Sequence, residues 1–421
     1  MTLSIQTDRA LIRADARSTR YILARVTAPR AEARATRLPV NVAIVLDRSG
    51  SMGGERKFSI AADAVRQSLR MLSPTDRFSL VVYDIEVDVL MPSTLATADA
   101  TRRALAALSE VGPRGGTDLC AGWRKGCDQI ATAFDAECIN RCLLLTDGLA
   151  NHGISDRESL ARMAGEQRQR GIATSTFGVG ADFDERLLRD MAREGGGNFY
   201  FIEGAAQIPE LLTGELGEAL EITLRQASLV ITSNGDEQVV ALNSFRHRPD
   251  HVRNEMHIEM GDLTAGQELD VVLRIDFPHG APGETASAVF ELRSAGQAVA
   301  GGTGAALWTY AYDAENDVQP RNVEVDRAVA KIYMARARAE ATEANRDGRY
   351  AHARAVVEET ARRIRNYAGS DAELQQLAQT VAESVTEYES PMSPLAMKLS
   401  YYEAESPLMG RDSSGRARKR S

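Results

Sequence analysis

The sequence lacks a long apolar run, and this absence argues against a membrane-spanning helix. None of its 421 residues falls in a window that approaches about 18 uncharged apolar residues. The N-terminal residues include Asp8, Arg9, Arg13 and Asp15, where a signal peptide would have an apolar core. We therefore predict a cytoplasmic protein with no membrane partner.

The sequence also lacks an excess of basic charge and the cysteine spacings of zinc sites. The formal net charge is −9, so nucleic acid is not a predicted partner. The four cysteines, at 120, 127, 138 and 142, are separated by six, ten and three residues, which matches no usual zinc pattern. We expect them to be small buried apolar side chains, as in a reducing compartment.

The composition is that of a globular protein with more than one core. Apolar residues make up 43% and charged residues 26% of the chain. A length of 421 residues suggests two or three domains. The composition makes no prediction about the oligomeric state.

Three short stretches carry the chemistry that the sequence predicts. The apolar run Val42–Leu46 indicates a buried parallel strand, and Asp47-Arg48-Ser49-Gly50-Ser51 follows it directly. A carboxylate and two hydroxyls at alternate positions after a strand direct several oxygen atoms toward one point. Such oxygen atoms suit a hard divalent cation.

The other two stretches supply further oxygen atoms. Gly115-Gly116-Thr117-Asp118 places a hydroxyl before a predicted helix, where glycines allow a close approach of the backbone. The stretch Leu143–Gly148 is a second buried strand that ends in Asp147. Taken singly, an Asp or Ser after a strand is an ordinary helix cap or turn former. The three stretches together favour a metal site.

Asp-x-Ser-x-Ser, then Thr, then Asp-Gly resembles the metal-ion-dependent adhesion site of the von Willebrand factor type A (VWA) family, over about residues 38–220. The resemblance implies that Ser49, Ser51 and Thr117 bind the metal directly. It implies that Asp47 and Asp147 either hold the metal through water or move toward it to bind it directly. Mg²⁺ is the predicted ion, with Mn²⁺ or Ca²⁺ as alternatives.

The predicted architecture is a doubly wound, mostly parallel α/β sheet, Rossmann-like in form, inserted in a β-sandwich and followed by a helical segment. The predicted strands of the sheet lie near 41–47, 78–84, 142–147, 172–178 and 198–202, with an edge strand near 86–91. The predicted helices lie near 56–72, 98–109, 118–134, 156–170, 184–194 and 207–220. The predicted domains are N-terminal strands (1–37), the VWA domain (38–221), the sandwich (222–315), a helical bundle (320–389) and a flexible tail (390–421).

The resemblance implies a metal-dependent protein-binding module or scaffold, in which a partner protein offers an Asp or Glu to the metal. In integrin-like members of the family, ligand binding is linked to a shift of the last helix of the domain, which is here Ile208 to Leu220. A second hypothesis is an adaptor or subunit of an AAA+ ATPase of the MoxR or chelatase type, because relatives of this family have that role.

A third hypothesis, metal-dependent phosphoryl transfer or hydrolysis, finds less support in the sequence. Gly178-Val179-Gly180 lacks a third glycine, and no Gly-Lys-Ser/Thr occurs at the spacing of a phosphate loop. His152 is the histidine nearest to the predicted site in sequence, and a lone loop histidine is more often a bystander than a base. We therefore predict a protein that is not an enzyme.

Overall fold

The computed structural model describes residues 2–30, 37–250 and 252–419. These residues form two compact units. The first unit contains the described residues up to 30 and those from Thr223 onward, and the second contains those from 37 to Ile222. The second unit is therefore an insertion in the sequence of the first. Residues 31–36, which border the predicted boundary near 37, lie outside the described residues.

The strands are numbered β1 to β16 along the chain. They are β1 (Thr2–Thr7), β2 (Leu11–Arg13), β3 (Ser18–Thr27), β4 (Val40–Asp47), β5 (Arg77–Tyr83), β6 (Val87–Leu95), β7 (Ile139–Thr146), β8 (Ile172–Val179), β9 (Gly196–Ile202), β10 (Ile222–Ser233), β11 (Gln238–Ala241), β12 (Arg246–Asp250), β13 (Glu255–Thr264), β14 (Glu268–Phe277), β15 (Thr285–Ser294) and β16 (Gln297–Ala311).

The α-helices are numbered α1 to α11 in the same way. They are α1 (Lys57–Met71), α2 (Ala98–Ser109), α3 (Leu119–Ala131), α4 (Arg157–Gln169), α5 (Glu185–Gly195), α6 (Ile208–Leu220), α7 (Asp313–Val318), α8 (Val323–Arg346), α9 (Tyr350–Ala368), α10 (Ala372–Glu383) and α11 (Pro394–Leu408).

The second unit is built on one six-stranded sheet in the order β6-β5-β4-β7-β8-β9. Neighbouring strands are parallel except for β6, which runs antiparallel to β5 at the edge. All residues of β4 and β7 are buried, as expected for central strands that have helices on both faces. The prediction of a doubly wound, mostly parallel sheet is confirmed.

The strand order of this sheet reverses between β4 and β7. From β4 the chain continues to β5 and β6 on one side, and it then crosses through α2 and α3 to β7 on the other side. In sheets of this kind the loops at the carboxyl ends of two such strands diverge and leave a crevice for a ligand. The stretches that follow β4 and β7 therefore lie at the place where a ligand is expected.

The first unit contains two sheets that share one apolar core. Their orders are β1-β3-β14-β11 and β12-β13-β10-β15-β16-β2. The N-terminal strand β3 lies between β1 and β14, and β2 pairs with the edge of β16. Side chains from both sheets, such as Ile22, Leu229, Phe290 and Trp308, form the core between them. This is the arrangement of a β-sandwich.

Helices α8, α9 and α10 pack on one another in the first unit. The core that they share contains Ala344, Val357, Ile364 and Leu374, which are buried. A glycine in the left-handed region, Gly348 at φ = 73°, separates α8 from α9. Among the described residues, no helix is long and apolar enough to cross a membrane.

The prediction of a flexible tail is wrong for residues 394–408, because these residues form α11. Ser393 caps the helix by accepting a hydrogen bond from the Ala396 N–H at 3.2 Å. Pro394 occupies the first turn, where its fixed φ suits a helix start, so this proline does not mark a break. Tyr401 and Leu408 are buried. The apolar residues of this part of the tail therefore pack in part within their own unit.

Candidate metal centre

The five predicted metal residues lie at the carboxyl edge of the parallel sheet. Asp47 is the last residue of β4, and Asp147 directly follows the last residue of β7. Ser49 and Ser51 belong to the turn after β4, and Thr117 lies in the loop before α3. The structure thus brings all five residues to one end of the sheet, at the reversal of strand order.

Asp47 is a fully buried carboxylate with neutral hydrogen-bond donors only. Its Oδ1 accepts from the Ser49 N–H at 2.7 Å, and its Oδ2 accepts from the Thr146 hydroxyl at 2.6 Å. Among the described residues, no Lys or Arg forms an ion pair with it. Burial raises the pKa of Asp47 to about 6, although the hydrogen bonds from Thr146 and Ser49 oppose this shift. The site therefore contains an uncompensated buried acid.

The three hydroxyls and Asp147 lie close to one another. The Ser49 and Ser51 hydroxyl oxygens are 3.1 Å apart, and Ser51 donates to Asp147 Oδ1 at 2.6 Å. A Cβ placed on Gly148 would lie 3.5 Å from Ser51 Oγ and 3.6 Å from Thr117 Oγ1. The hydroxyls of Ser51 and Thr117 therefore lie beside the same glycine, next to the second carboxylate.

The loop after β7 holds Thr117 in place through its backbone. The Thr117 N–H donates to Asn151 Oδ1 at 2.8 Å, and the N–H groups of Asn151 and His152 donate to the Thr117 carbonyl at 3.1 and 3.2 Å. A Cβ on Gly116 would lie 2.8 Å from His152 Cδ2, which is closer than any real contact. His152 lies exposed beside the site, and a side chain at 116 would require its ring to move.

The loops that carry the serines and the threonine are also bonded to each other. Gly50 N–H donates to the Gly115 carbonyl at 3.1 Å, and Arg114 N–H donates to the Arg48 carbonyl at 2.7 Å. The guanidinium groups of Arg48 and Arg114 both bind Asp84 Oδ2, at 3.0 and 2.7 Å. The two loops are therefore held together before any ligand binds, which favours a preformed site.

Lys57, the first residue of α1, places a positive charge at the site. Its Nζ lies 2.8 Å from Asp147 Oδ2. The Asp147 side chain is fully buried and that of Lys57 is 13% exposed, so solvent screens this pair only weakly. The two predicted carboxylates therefore differ: Asp147 has a cationic partner, whereas Asp47 has only neutral ones.

Sequence reasoning missed Thr146, Asn151 and Lys57. Thr146 could have been noticed, because it directly precedes the predicted Asp147. Asn151 and Lys57 carry no such signal, because their contacts depend on where a loop and a helix return in space. As predicted for the cysteines, Cys120, Cys127 and Cys142 are buried, and Cys138 is half-buried.

The donor set fits a hard divalent cation. It contains hydroxyl and carboxylate oxygens, the atoms that Mg²⁺, Mn²⁺ and Ca²⁺ prefer. A buried acid with raised pKa, such as Asp47, gains from a nearby positive charge. The residues therefore fit the metal that the sequence motif implies.

Comparison with known proteins identifies the second unit. Residues 41–213 match the family model of the von Willebrand factor type A domain. This part of the chain is therefore a VWA domain, and the predicted membership of this family is confirmed. VWA domains form a family of metal-binding protein-interaction modules.

Relatives in sequence are distant. The chain is 26% identical over 240 residues to the uncharacterized protein YfbK of Escherichia coli K12. That alignment covers 56% of this chain and 41% of YfbK, so the chain spans less than half the length of this relative.

Two solved structures share the fold over nearly the whole chain. A von Willebrand factor type A protein from Catenulispora acidiphila superposes with a TM-score of 0.68 at 16% identity, over 93% of this chain and 97% of that one. The ArnB paralog VWA2 from Sulfolobus acidocaldarius gives a TM-score of 0.61 at 15% identity, over 98% of each chain. At such identities the likeness concerns the fold alone.

Proposed function

We propose that this protein is a metal-dependent protein-binding module, in which the cation at the VWA site takes an Asp or Glu side chain from a partner protein. Ser49, Ser51 and Thr117 would bind the ion directly, and Asp47 and Asp147 would hold it through water. The observation that carries the proposal is the buried Asp47 carboxylate, which has no cationic partner among the described residues and ends the strand before the turn that carries Ser49 and Ser51.

The charge of the site supports an acidic partner. Neutral hydroxyls as direct ligands leave most of the charge of a divalent ion uncompensated. Lys57 further neutralises Asp147 at 2.8 Å. An ion held in this way attracts an additional anionic ligand, and a carboxylate is the anion that a protein surface can offer. The preferred ion in this proposal is Mg²⁺, which accepts carboxylate together with several waters.

Metal binding is tested first, with the purified chain and Mn²⁺ as a paramagnetic probe. We expect saturable binding of Mn²⁺ in electron paramagnetic resonance, and displacement of Mn²⁺ by Mg²⁺. Ser51→Ala removes one proposed ligand and should weaken binding at least about tenfold. Ser59→Ala is the matched control, because Ser59 is an exposed serine nearby whose hydroxyl donates only to the Arg56 carbonyl at 2.9 Å. Equal affinity in both variants would contradict the proposed ligands.

Partner binding is tested with the protein and its Asp47→Ala variant as baits in a lysate of the source cell, each with Mg²⁺ and with EDTA. We expect a partner that is retained only by the intact site with metal. Substituting the acidic residues of that partner one at a time should then identify the one that reaches the ion. Retention of the same proteins in all four conditions would place recognition elsewhere on the chain.

The narrower hypotheses stay predictions. Among the residues that the structure describes, no feature favours the AAA+ adaptor role over other binding partners, and none favours phosphoryl transfer or hydrolysis. The cytoplasmic location and the absence of enzymatic activity likewise rest on the sequence alone.

A further inference from the structure

A cavity of about 330 Å³ lies in the first unit, apart from the residues of the proposed metal site. Its lining includes the arginines Arg9, Arg321 and Arg363 and the tyrosines Tyr21, Tyr333 and Tyr367. These side chains come from β3, from the segments that precede β2 and α8, and from α8 and α9 themselves. At roughly 30 Å³ per water, the cavity has room for about ten waters, which is the size of a small ligand site.

The tyrosines give the cavity aromatic walls with polar tips. The rings of Tyr21 and Tyr333 meet edge to face, with centroids 6.2 Å apart and an interplanar angle of 88°. Their hydroxyl oxygens are 3.3 Å apart. The guanidinium carbon of Arg321 lies 5.2 Å from the centroid of the Tyr367 ring. The lining therefore combines flat apolar surface with fixed cations.

Arg9 and Arg321 have N–H groups that could donate hydrogen bonds to an anion in the cavity. Arg321 donates through Nε and Nη2 to Asp326, at 2.7 and 2.6 Å, and Arg9 donates through Nε to Asp8 at 3.3 Å. Within the described part of the chain, Nη1 of Arg321 and both terminal nitrogens of Arg9 form no hydrogen bond. A guanidinium that is held by one carboxylate yet has unused N–H groups is a preorganised oxyanion ligand.

The lining contains three guanidinium groups and one carboxylate, that of Asp326. Asp326 pairs with Arg321, and its hydrogen bonds and charge raise the pKa of that arginine. An anion in the cavity would therefore be bound chiefly by the N–H groups of Arg9 and Arg321 that Asp8 and Asp326 leave unused.

We propose that this cavity binds a small organic anion with an aromatic ring, such as an aryl phosphate or an aryl carboxylate. The guanidinium groups of Arg9 and Arg321 bind the oxyanion, and the tyrosine rings contact the aromatic part of the ligand. The cavity lies within the first unit, so this binding does not depend on the metal at the VWA site.

The test uses the full chain in EDTA and measures binding by isothermal titration calorimetry. The probes are phenyl phosphate and phenylacetate. Two comparison ligands each lack one feature: inorganic phosphate lacks the ring, and phenethylamine lacks the negative charge. We expect at least one aryl anion to bind saturably and more tightly than both comparison ligands. No saturable binding of either aryl anion, or equally tight binding of inorganic phosphate, would overturn the proposal.

Two neighbouring arginines provide a matched pair of variants. Arg362 and Arg363 both bind Glu359 from the same helix, but Arg363 lines the cavity and Arg362 does not. We expect Arg363→Gln to lower the affinity for the tighter-binding aryl anion several-fold and Arg9→Gln to lower it about tenfold. Arg362→Gln should leave this affinity unchanged. Equal affinity of Arg362→Gln and Arg363→Gln, in chains with unchanged circular dichroism, would overturn the assignment of the cavity.

Discussion

At the scale of single residues, we expect the buried charge of Asp47 to lower the stability of the metal-free protein and to favour the binding of a cation. Burial raises the pKa of the Asp47 carboxyl group from 3.8 to about 6, so at neutral pH the group is still mostly ionised and its buried charge destabilises the metal-free protein. We expect Asp47→Asn to stabilise the metal-free second unit by roughly 1 to 3 kcal/mol, at about 1.4 kcal/mol per pKa unit. The same change should abolish stabilisation by Mg²⁺. Urea unfolding at neutral pH, in EDTA and in Mg²⁺, measures both effects.

Asp84 provides the control for this prediction. It is also buried, but it binds Arg48 and Arg114 at 3.0 and 2.7 Å. Burial opposes ionisation there too, yet hydrogen bonds from Glu86 N–H and Arg114 and the charge of Arg48 lower the pKa of Asp84. We therefore expect Asp84→Asn to destabilise the unit. Destabilisation by both substitutions would show that the Asp47 charge is compensated in the metal-free protein.

Lys57 places a positive charge beside the proposed cation site. A fixed positive charge 2.8 Å from Asp147 repels a divalent ion bound beside that carboxylate. We expect Lys57→Met, which keeps the aliphatic stem, to bind Mn²⁺ about tenfold more tightly than the unchanged chain. Lys125→Met, in α3 of the same unit, should leave the affinity unchanged. Weaker binding by Lys57→Met would mean that Lys57 acts by positioning Asp147.

The residues of the site show which contacts a sequence can predict. Asp47 and Asp147 each end an apolar strand, and this pattern is local, so the sequence was sufficient to place them together. Lys57 reaches Asp147 across 90 positions, and Asn151 reaches Thr117 across 34. Such contacts follow from the packing of α1 and of the loop after β7, which no local pattern encodes.

At the scale of elements, α6 is tied to the sheet by a buried polar network. Glu215 of α6 accepts hydrogen bonds from Arg141 at 2.7 Å and Ser175 at 2.6 Å through Oε1. It also accepts from Asn198 at 2.9 Å and Tyr200 at 2.6 Å through Oε2. These donors lie on β7, β8 and β9. A shift of α6, as the family resemblance implies on ligand binding, would have to rearrange this network.

Removal of Glu215 tests how strongly the network holds α6. Glu215→Ala leaves Arg141, whose side chain is 5% exposed, without this carboxylate. We expect a loss of about 3 to 5 kcal/mol in the free energy of unfolding of the second unit, because the substitution breaks a buried ion pair and removes the acceptor of four hydrogen bonds. Glu210→Ala, at an exposed position of the same helix, should lower the free energy of unfolding by less than about 1 kcal/mol. Similar losses in both variants would contradict a special role of Glu215.

The elements that the sequence predicted well are those with long, regular patterns. The strands and helices of the parallel sheet lie within a few residues of their predicted positions, because each buried strand is bounded by turn signals. Strands β2 and β12 were missed, since β2 has three residues and β12 reads Arg-His-Arg-Pro-Asp, with no apolar alternation. Both are edge strands that exist through pairing with β16 and β13. Helix α11 was missed because its prolines suggested disorder.

At the scale of the whole molecule, the two units have separate cores, and only the second contains the proposed metal site. A ligand that binds one folded unit stabilises that unit by RT ln(1 + [L]/Kd), or about 2.7 kcal/mol when the ligand is at about 100 times Kd. We therefore expect two unfolding transitions, of which Mg²⁺ shifts only the one that belongs to the second unit.

The two tryptophans of the chain allow this to be measured. Trp123 is buried in the second unit and Trp308 in the first. With fluorotryptophan in place of both, fluorine NMR during urea unfolding follows each unit through its own resonance, and Trp308→Phe assigns the two signals. Mg²⁺ should raise the urea midpoint of the Trp123 resonance alone, and Ser51→Ala should remove this shift. A common midpoint that moves for both resonances would show that the units unfold cooperatively, and the metal would then stabilise the sandwich through the VWA domain.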